Sequence, residues 1–247
     1  MPDDLSILTR PARLPDQTLS YGPDADQMAD VRFGQGIAAS HRPLVILIHG
    51  GFWRPQYDRT HTGPMADAIA AAGWTVASAE YRRVPGEPDK MLSDVTDALT
   101  KLPALVTRHN GNVVLMGHSA GGHLVLWLTA ARRTPQLVGT LALAPAADLQ
   151  LAHDMDLGDG ATLAFLGVSP SARPDVDPRR LPAPQVPTTI IHGDKDVVVR
   201  LPVAESYVAA HPGVHLIRLA GVGHFAVIDP LSTSWPMVMR ELGALGS

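Results

Sequence analysis

The sequence predicts an α/β protein with one open, mainly parallel and doubly wound β-sheet flanked by helices. From residue 43 onward, short apolar runs rich in Val, Ile and Leu alternate with segments whose apolar residues have helical spacing. The apolar runs lack the polar alternation of a half-exposed strand, so helices should cover both faces of the sheet. Strands that alternate with helices along a chain are typical of parallel sheets. Functional side chains are then expected at the carboxyl ends of the strands.

The individual elements follow from local composition. Each predicted strand is a short aliphatic run that ends at glycine or polar residues, and each predicted helix is amphipathic or a longer Ala- and Leu-rich run. The predicted strands span residues 44–51, 74–81, 112–119, 138–146, 188–193 and 214–221. The predicted helices span residues 63–73, 89–102, 121–133, 202–211 and 235–245.

The first 42 residues do not follow this alternation. They contain one or two predicted edge strands, at residues 5–9 and 30–34, with a YGPDAD turn at residues 21–26. We therefore expect this part of the chain to extend one edge of the sheet.

Residues 149–187 also interrupt the alternation. They are rich in Pro, Asp and Gly, and only residues 160–167 have a helical pattern. So long an insertion in a compact α/β chain is expected to be a lid or a substrate-shaping segment. The composition shifts nowhere else, so residues 1–247 are predicted to form a single domain.

Bulk composition excludes several classes of protein. The 247 residues carry a formal charge of −4, and no basic stretch is dense enough to follow the phosphates of a nucleic acid. The absence of cysteine excludes disulfides and a thiolate nucleophile. The start lacks the pattern of a signal peptide, and no apolar run approaches the ~20 residues of a membrane span, so a cytoplasmic protein is expected. The eleven histidines form no dense ligand cluster, so no metal or other cofactor is expected. The residues leave the oligomeric state open, a homodimer included.

Ser119 is the candidate nucleophile. It lies in the pattern G-x-S-x-G between Gly117 and Gly121, after a predicted strand and before a predicted helix. A serine on such a sharp strand-to-helix turn has a strained backbone, and side chains at the two flanking positions would collide with neighbouring elements.

A serine hydroxyl needs a base, and that base needs a third group that orients it. Asp194 and Asp196 follow the strand at residues 188–193, and His224 follows the next strand. The order serine, acid, histidine is the one expected for a serine nucleophile on this type of turn. The residues alone leave both aspartates open as the acid.

The chain from about residue 20 onward resembles the α/β-hydrolase superfamily, because HGGFW, GHSAGGHL, HGDKD and GVGHF occur in that order. The HGG followed by an aromatic residue and Trp is similar to the esterase/lipase branch that includes the serine-dependent kynurenine formamidases, or arylformamidases. Related carboxylesterases share this loop. The segment at residues 149–187 matches no motif of the formamidases.

The resemblance implies roles for individual residues. Ser119 would be the nucleophile, His224 the general base and then acid, and Asp196 the acid, since it has the spacing HG-x-x-D. The backbone N–H groups of Gly51, Phe52 and Ala120 would form an oxyanion hole. Apart from the resemblance, proximity in the sequence alone makes four residues candidates for the substrate pocket: Trp53, His118, Phe165 and Phe225.

These features predict a serine hydrolase that cleaves a small-molecule ester or amide, namely a small carboxylic ester or an aryl formamide, through an acyl-enzyme. An acyl transferase or a peptidase would use the same three side chains. A non-catalytic ligand-binding protein on this fold is the alternative from another class, but it would not require the three side chains to be present together.

Overall fold

The computed structural model describes residues 4–132 and 134–246. Its eight strands are β1 (Gln17–Ser20), β2 (Met28–Arg32), β3 (Leu44–Ile48), β4 (Val76–Ala79), β5 (Val113–His118), β6 (Leu137–Leu143), β7 (Thr188–Gly193) and β8 (His215–Leu219). They form one sheet in the order β1-β2-β4-β3-β5-β6-β7-β8. β2 is antiparallel to both of its neighbours, and every pair from β4 to β8 is parallel.

Seven helices accompany the sheet in the described part of the chain. They are α1 (Gly63–Ala71), α2 (Pro88–Leu105), α3 (Ala120–Ala131), α4 (Leu149–Asp154), α5 (Ala161–Leu166), α6 (Leu201–Ala210) and α7 (Trp235–Leu245). Successive residues of β3 belong to opposite faces: Ile46 packs with the cluster around α2 and α3, whereas Leu47 packs with α1 and α7. Both faces of the sheet are therefore covered, which explains the unbroken apolar runs.

The parallel sheet predicted from the sequence is confirmed, with the strands shorter at their ends than the apolar patterns. The edge strand predicted at residues 5–9 is wrong. Ser6–Leu8 forms a 3-10 turn with Ile7 buried, and Gln17–Ser20 pairs with β2 instead. Helix α4 was not predicted. The predicted end of the helix at 121–133 includes Arg133, which lies outside the described residues.

Strand register brings the expected functional loops together. Ile48 at the end of β3 pairs with Gly117 in β5, so the HGG loop leaves the sheet beside Ser119. Gly193 at the end of β7 pairs with Leu219 in β8, which places the next two loops side by side. No helix within residues 4–132 and 134–246 is long and apolar enough to cross a membrane.

Candidate active site

Ser119 lies on a strained turn between β5 and α3. Its φ and ψ angles are 56° and −117°, in a region that residues with a side chain rarely adopt. The turn is fixed by a hydrogen bond of 2.9 Å from Ser119 N–H to the Leu143 carbonyl and by two others, of 3.1 and 3.2 Å, that His123 and Ala146 donate to the Ser119 carbonyl. Such strain persists only where the surroundings hold it, and it is typical of functional sites.

The glycines that flank Ser119 are required by close backbone contacts. A Cβ atom on Gly117 would lie 2.3 Å from the Gly121 carbonyl oxygen. A Cβ atom on Gly121 would lie 2.1 Å from the carbonyl oxygen of Ile48. The spacing G-x-S-x-G therefore follows from packing of this turn against itself and against β3.

His224 and Asp196 form a buried pair at the ends of β7 and β8. The distance from His224 Nδ1 to Asp196 Oδ2 is 2.7 Å, and the other carboxylate oxygen accepts hydrogen bonds of 2.9 and 2.8 Å from the N–H groups of Val198 and Val199. Burial alone would raise the pKa of Asp196, but hydrogen bonds from His192 and His224 outweigh it and hold that pKa well below its usual value. An ionised Asp196 fixes the Nδ1–H tautomer of His224 and leaves Nε2 as the basic nitrogen.

His192 is a second imidazole on the same carboxylate. Its Nε2 lies 3.2 Å from Asp196 Oδ2 and 2.8 Å from the Val199 carbonyl oxygen. Both partners are acceptors, so Nε2 carries the proton. The sequence analysis did not single out His192, although it begins the HGDKD motif.

The HGG loop after β3 lies directly against Ser119. A Cβ atom on Gly50 would lie 2.9 Å from the His118 carbonyl oxygen and 3.0 Å from Ser119 Cβ. The next three residues, Gly51, Phe52 and Trp53, have positive φ angles of 109°, 52° and 56°. This run of positive φ angles turns the chain sharply, and the turn is closed by a hydrogen bond of 3.0 Å from Arg54 N–H to the Gly51 carbonyl.

The same loop and the Ser119 turn present unused backbone donors. Across the described residues, no acceptor forms a hydrogen bond with the N–H groups of Gly51, Phe52 or Ala120. Ala120 is the first residue of α3, where the orphan N–H groups and the helix dipole favour negative charge. These three N–H groups are the donors predicted from the sequence.

A network of buried polar side chains supports the HGG loop. His49 Nε2 lies 2.9 Å from a Glu80 carboxylate oxygen, and its ring stacks on Tyr81 with centroids 4.4 Å apart. Glu80 is 2% exposed, and it also forms ion pairs with Arg83 and Arg59. Burial, together with the Arg83 charge, lowers the pKa of His49 to about 3, so this imidazole is neutral near neutral pH.

A cavity of about 100 Å³ lies beside Ser119 and His224. Apolar and aromatic side chains form much of its wall, and His61, Tyr57 and Val198 are wall residues that sequence reasoning missed. Leu8 of the first 3-10 turn also lines it. A small and largely apolar cavity next to a serine and an imidazole suits a reaction on a small neutral group.

Known proteins with similar sequences span only part of this chain or extend well beyond it. The BD-FAE family model matches residues 31–150. Esterase LipC of Mycobacterium tuberculosis is 24% identical over 86% of this chain and 60% of its own length. A kynurenine formamidase of Danio rerio is 29% identical over 58% of this chain and 50% of its own length. The chain therefore spans about half to three fifths of these relatives.

Solved structures match nearly the whole chain. A putative thioesterase from Silicibacter sp. tm1040 superposes with a TM-score of 0.74 at 23% identity, covering 92% of this chain and 87% of that one. Esterase B of Lactobacillus rhamnosis gives 0.74 at 20% identity, covering 95% and 88%. The fold is that of an α/β-hydrolase. The chain is similar to relatives named as an esterase and as a kynurenine formamidase, which agrees with the resemblance that the four motifs carry.

Within this fold, the predicted substrate-contacting residues occupy different places. His118 and Phe225 line the cavity, and the His118 ring lies 4.5 Å from that of His224. Trp53 does not line it. Trp53 is 3% exposed, stacks on Phe165 at 4.6 Å and donates a hydrogen bond of 3.2 Å to His123. The indole therefore lies in the core beneath the HGG loop, away from the cavity.

The insertion at residues 149–187 contacts the HGG loop from outside the cavity. Gly158 packs closely on the Phe52 ring, since a Cβ atom there would lie 2.6 Å from it. The Arg54 guanidinium donates hydrogen bonds to the carbonyl oxygens of Gly158 and Asp159.

Asp194, the other candidate acid, accepts a hydrogen bond of 2.7 Å from Gly221 N–H. In the described part of the chain, no group of three His, Cys, Asp or Glu side chains could hold a metal ion.

Proposed function

We propose that the chain is a serine hydrolase that cleaves a small carboxylic ester or an aryl formamide through a covalent acyl-enzyme. The observation that carries the proposal is that Ser119 and His224 line one cavity while Asp196 holds His224 Nδ1 at 2.7 Å. The esterase and formamidase names of the sequence relatives support the same class of reaction.

In the first half of the proposed reaction, Ser119 Oγ attacks the carbonyl carbon of the substrate while His224 Nε2 takes the hydroxyl proton. The tetrahedral intermediate then collapses, and the imidazolium gives this proton to the leaving alcohol oxygen or amine nitrogen. Asp196 stabilises the charged imidazole throughout. The product of this half-reaction is an ester of Ser119 with the acyl or formyl group.

The N–H groups of Gly51, Phe52 and Ala120 would stabilise the negative oxygen of the intermediate. Backbone donors act best when they are already aligned, and the loss of one typically costs about 3 kcal/mol of transition-state stabilisation. The loop conformation therefore contributes more to this step than its side chains do. In the second half-reaction, His224 deprotonates a water molecule that attacks the Ser119 ester and releases the acid.

The cavity argues for a small acyl group. Its volume is about 100 Å³, and its wall includes Leu8, Phe52 and Phe225. Neutral groups of a few heavy atoms, such as formyl or acetyl, fit such a space without burying an unpaired charge. This favours short esters and formamides over long-chain lipids and peptides.

The proposal is tested with p-nitrophenyl acetate and N-formylkynurenine as substrates. Ser119→Ala should lower kcat/KM by about 10³-fold or more, because no nucleophile remains. Ser93→Ala removes an exposed hydroxyl on α2 and should change nothing. A p-nitrophenyl phosphonate should label Ser119 alone. Full activity of Ser119→Ala would exclude the mechanism, whereas turnover of the ester without the formamide would exclude only the formamidase assignment.

A further inference from the structure

The N-terminal segment, residues 4–16, forms one wall of the cavity. Ile7 anchors it, since this side chain is 1% exposed and belongs to the core cluster that contains Val227 and Ile228. Three residues further, the Arg10 guanidinium binds both carboxylate oxygens of Asp229. Leu8 lies between these two attachments, and its partly buried side chain packs against the same core cluster.

Leu8 lines two cavities. One is the cavity of about 100 Å³ beside Ser119, and the other, of about 550 Å³, lies under the N-terminal segment. Among the described residues that line these two cavities, Leu8 is the one common to both. On the opposite side, the turn Arg59–Thr62 contributes His61 to the first cavity and Arg59 to the second. The two spaces therefore adjoin, with the Leu8 side chain at their boundary.

The charges around the second cavity are compensated. Arg32 lies 2.7 Å from Asp67, and Arg59 lies 2.8 Å from Asp30. Cations that already bind carboxylates are poor partners for an anionic ligand, because a new anion would compete with fixed partners. The second cavity therefore suits a neutral ligand, such as an alkyl chain that covers the apolar parts of its wall.

We propose that Leu8 is a specificity-determining residue that limits the acyl chain of the substrate. It closes the reaction cavity and restricts the wild-type protein to short acyl groups. Truncation of Leu8 joins the reaction cavity to the second cavity and admits longer neutral acyl chains. This inference rests on the hydrolase function proposed above and adds the length of the acyl group to it.

The test compares kcat/KM for p-nitrophenyl acetate, butyrate, hexanoate and octanoate. The wild type should prefer acetate or butyrate. Leu8→Ala should raise the ratio of octanoate to acetate turnover by about 10-fold or more, since one methylene that gains a place in an apolar pocket is worth about 10-fold. Leu8→Val should give an intermediate ratio, and it provides the test if the alanine variant folds poorly.

Two control variants separate chain length from general loosening. Leu14→Ala changes the same residue type in the same segment, but Leu14 is 83% exposed and lines only the second cavity, so the ratio should stay at the wild-type value. Leu8→Met keeps the side-chain volume and should also retain it. A wild-type ratio in both truncations of Leu8 would overturn the proposal, while Ser119-dependent acetate hydrolysis would still stand. If no ester is hydrolysed, this inference fails, and the proposed function fails with it only if N-formylkynurenine is not hydrolysed either.

Discussion

The two walls of the cavity beside Ser119 are held by different means. The loop wall, residues 49–61, rests on buried polar groups: His49 on Glu80, and Glu80 on Arg83. The N-terminal segment is attached by one buried apolar side chain, Ile7, and by ion pairs near the surface from Arg10 to Asp229 and from Arg13 to Asp67. The loop wall carries the backbone N–H donors, whose directions determine how well they stabilise the transition state. The N-terminal segment only limits the space that is open to the substrate.

This contrast indicates how strongly each wall is constrained. Oxyanion donors must lie about 3 Å from the charged oxygen, and a small displacement weakens them. A wall that sets chain length tolerates side chains of many shapes, because only the space it leaves is selected. Changes in the loop wall should therefore alter the rate with every substrate, and changes in the N-terminal segment should alter the preference between substrates.

Among changes in the two walls, the largest effect is expected from Gly50→Ala. The new methyl group would lie 2.9 Å from the His118 carbonyl oxygen and 3.0 Å from Ser119 Cβ, and neither contact can relax by rotation of a flexible side chain. The loop must move away from Ser119, and kcat for all esters should fall by about 10²- to 10³-fold. Gly213→Ala is the matched control, since a methyl group there meets nothing within 4 Å. Equal activity of the two variants would contradict the role assigned to the loop wall.

The sequence predicted the turn around Ser119, which packs against the loop wall, better than it predicted the N-terminal segment. Gly117, Ser119 and Gly121 form a recognisable pattern because close backbone contacts permit only glycine beside the serine. The parallel sheet was predictable for a similar reason, since strands buried on both faces need unbroken apolar runs. Each of these features has a local physical cause that leaves a mark on the sequence.

The residues that shape the cavity form no recognisable pattern in the sequence. The run at residues 5–9 was predicted as a strand, because Leu5, Ile7 and Leu8 are apolar, yet it forms a 3-10 turn that reaches the site from the far end of the chain. Trp53 was placed near the substrate by its position in the chain, and the left-handed turn directs it into the core. Tertiary packing decides such positions, and local sequence does not encode it.

An intermediate effect is expected from Glu80→Gln. The substitution keeps the shape but removes the negative charge that faces Arg83, whose side chain is 8% exposed. A buried cation left without its partner typically lowers the free energy of unfolding by about 3 kcal/mol. The loop should also loosen, so kcat should fall about 10-fold. Glu87→Gln removes a surface partner of Lys90 and is the control for urea unfolding and for kcat. If Glu80→Gln behaves like Glu87→Gln, the network does not support the loop.

The smallest effect is a difference in pH dependence between the two walls. Burial and the neighbouring His49 lower the pKa of His61 from 6.5 to about 4. In the unfolded chain, His61 binds a proton below about pH 6.5, whereas in the folded chain it does so only below about pH 4. The free energy of unfolding therefore decreases as the pH falls from about 6.5 to about 4. In the N-terminal segment, the hydrogen bond from Arg10 lowers the pKa of Asp229 below 3.8, and the stability from that pair is lost only at lower pH.

Urea unfolding of the wild type and of His61→Gln at about pH 6 and pH 5 measures this difference, because only the wild type can titrate at position 61. Over that interval, the free energy of unfolding of the wild type should decrease by about 1 kcal/mol more than that of the variant. The activity at pH 7 is not the readout, since His61 lines the cavity and its replacement can change turnover directly. Equal decreases in the two proteins would mean that His61 takes up its proton in the folded state, and that the loop wall is more open to water than its buried network implies.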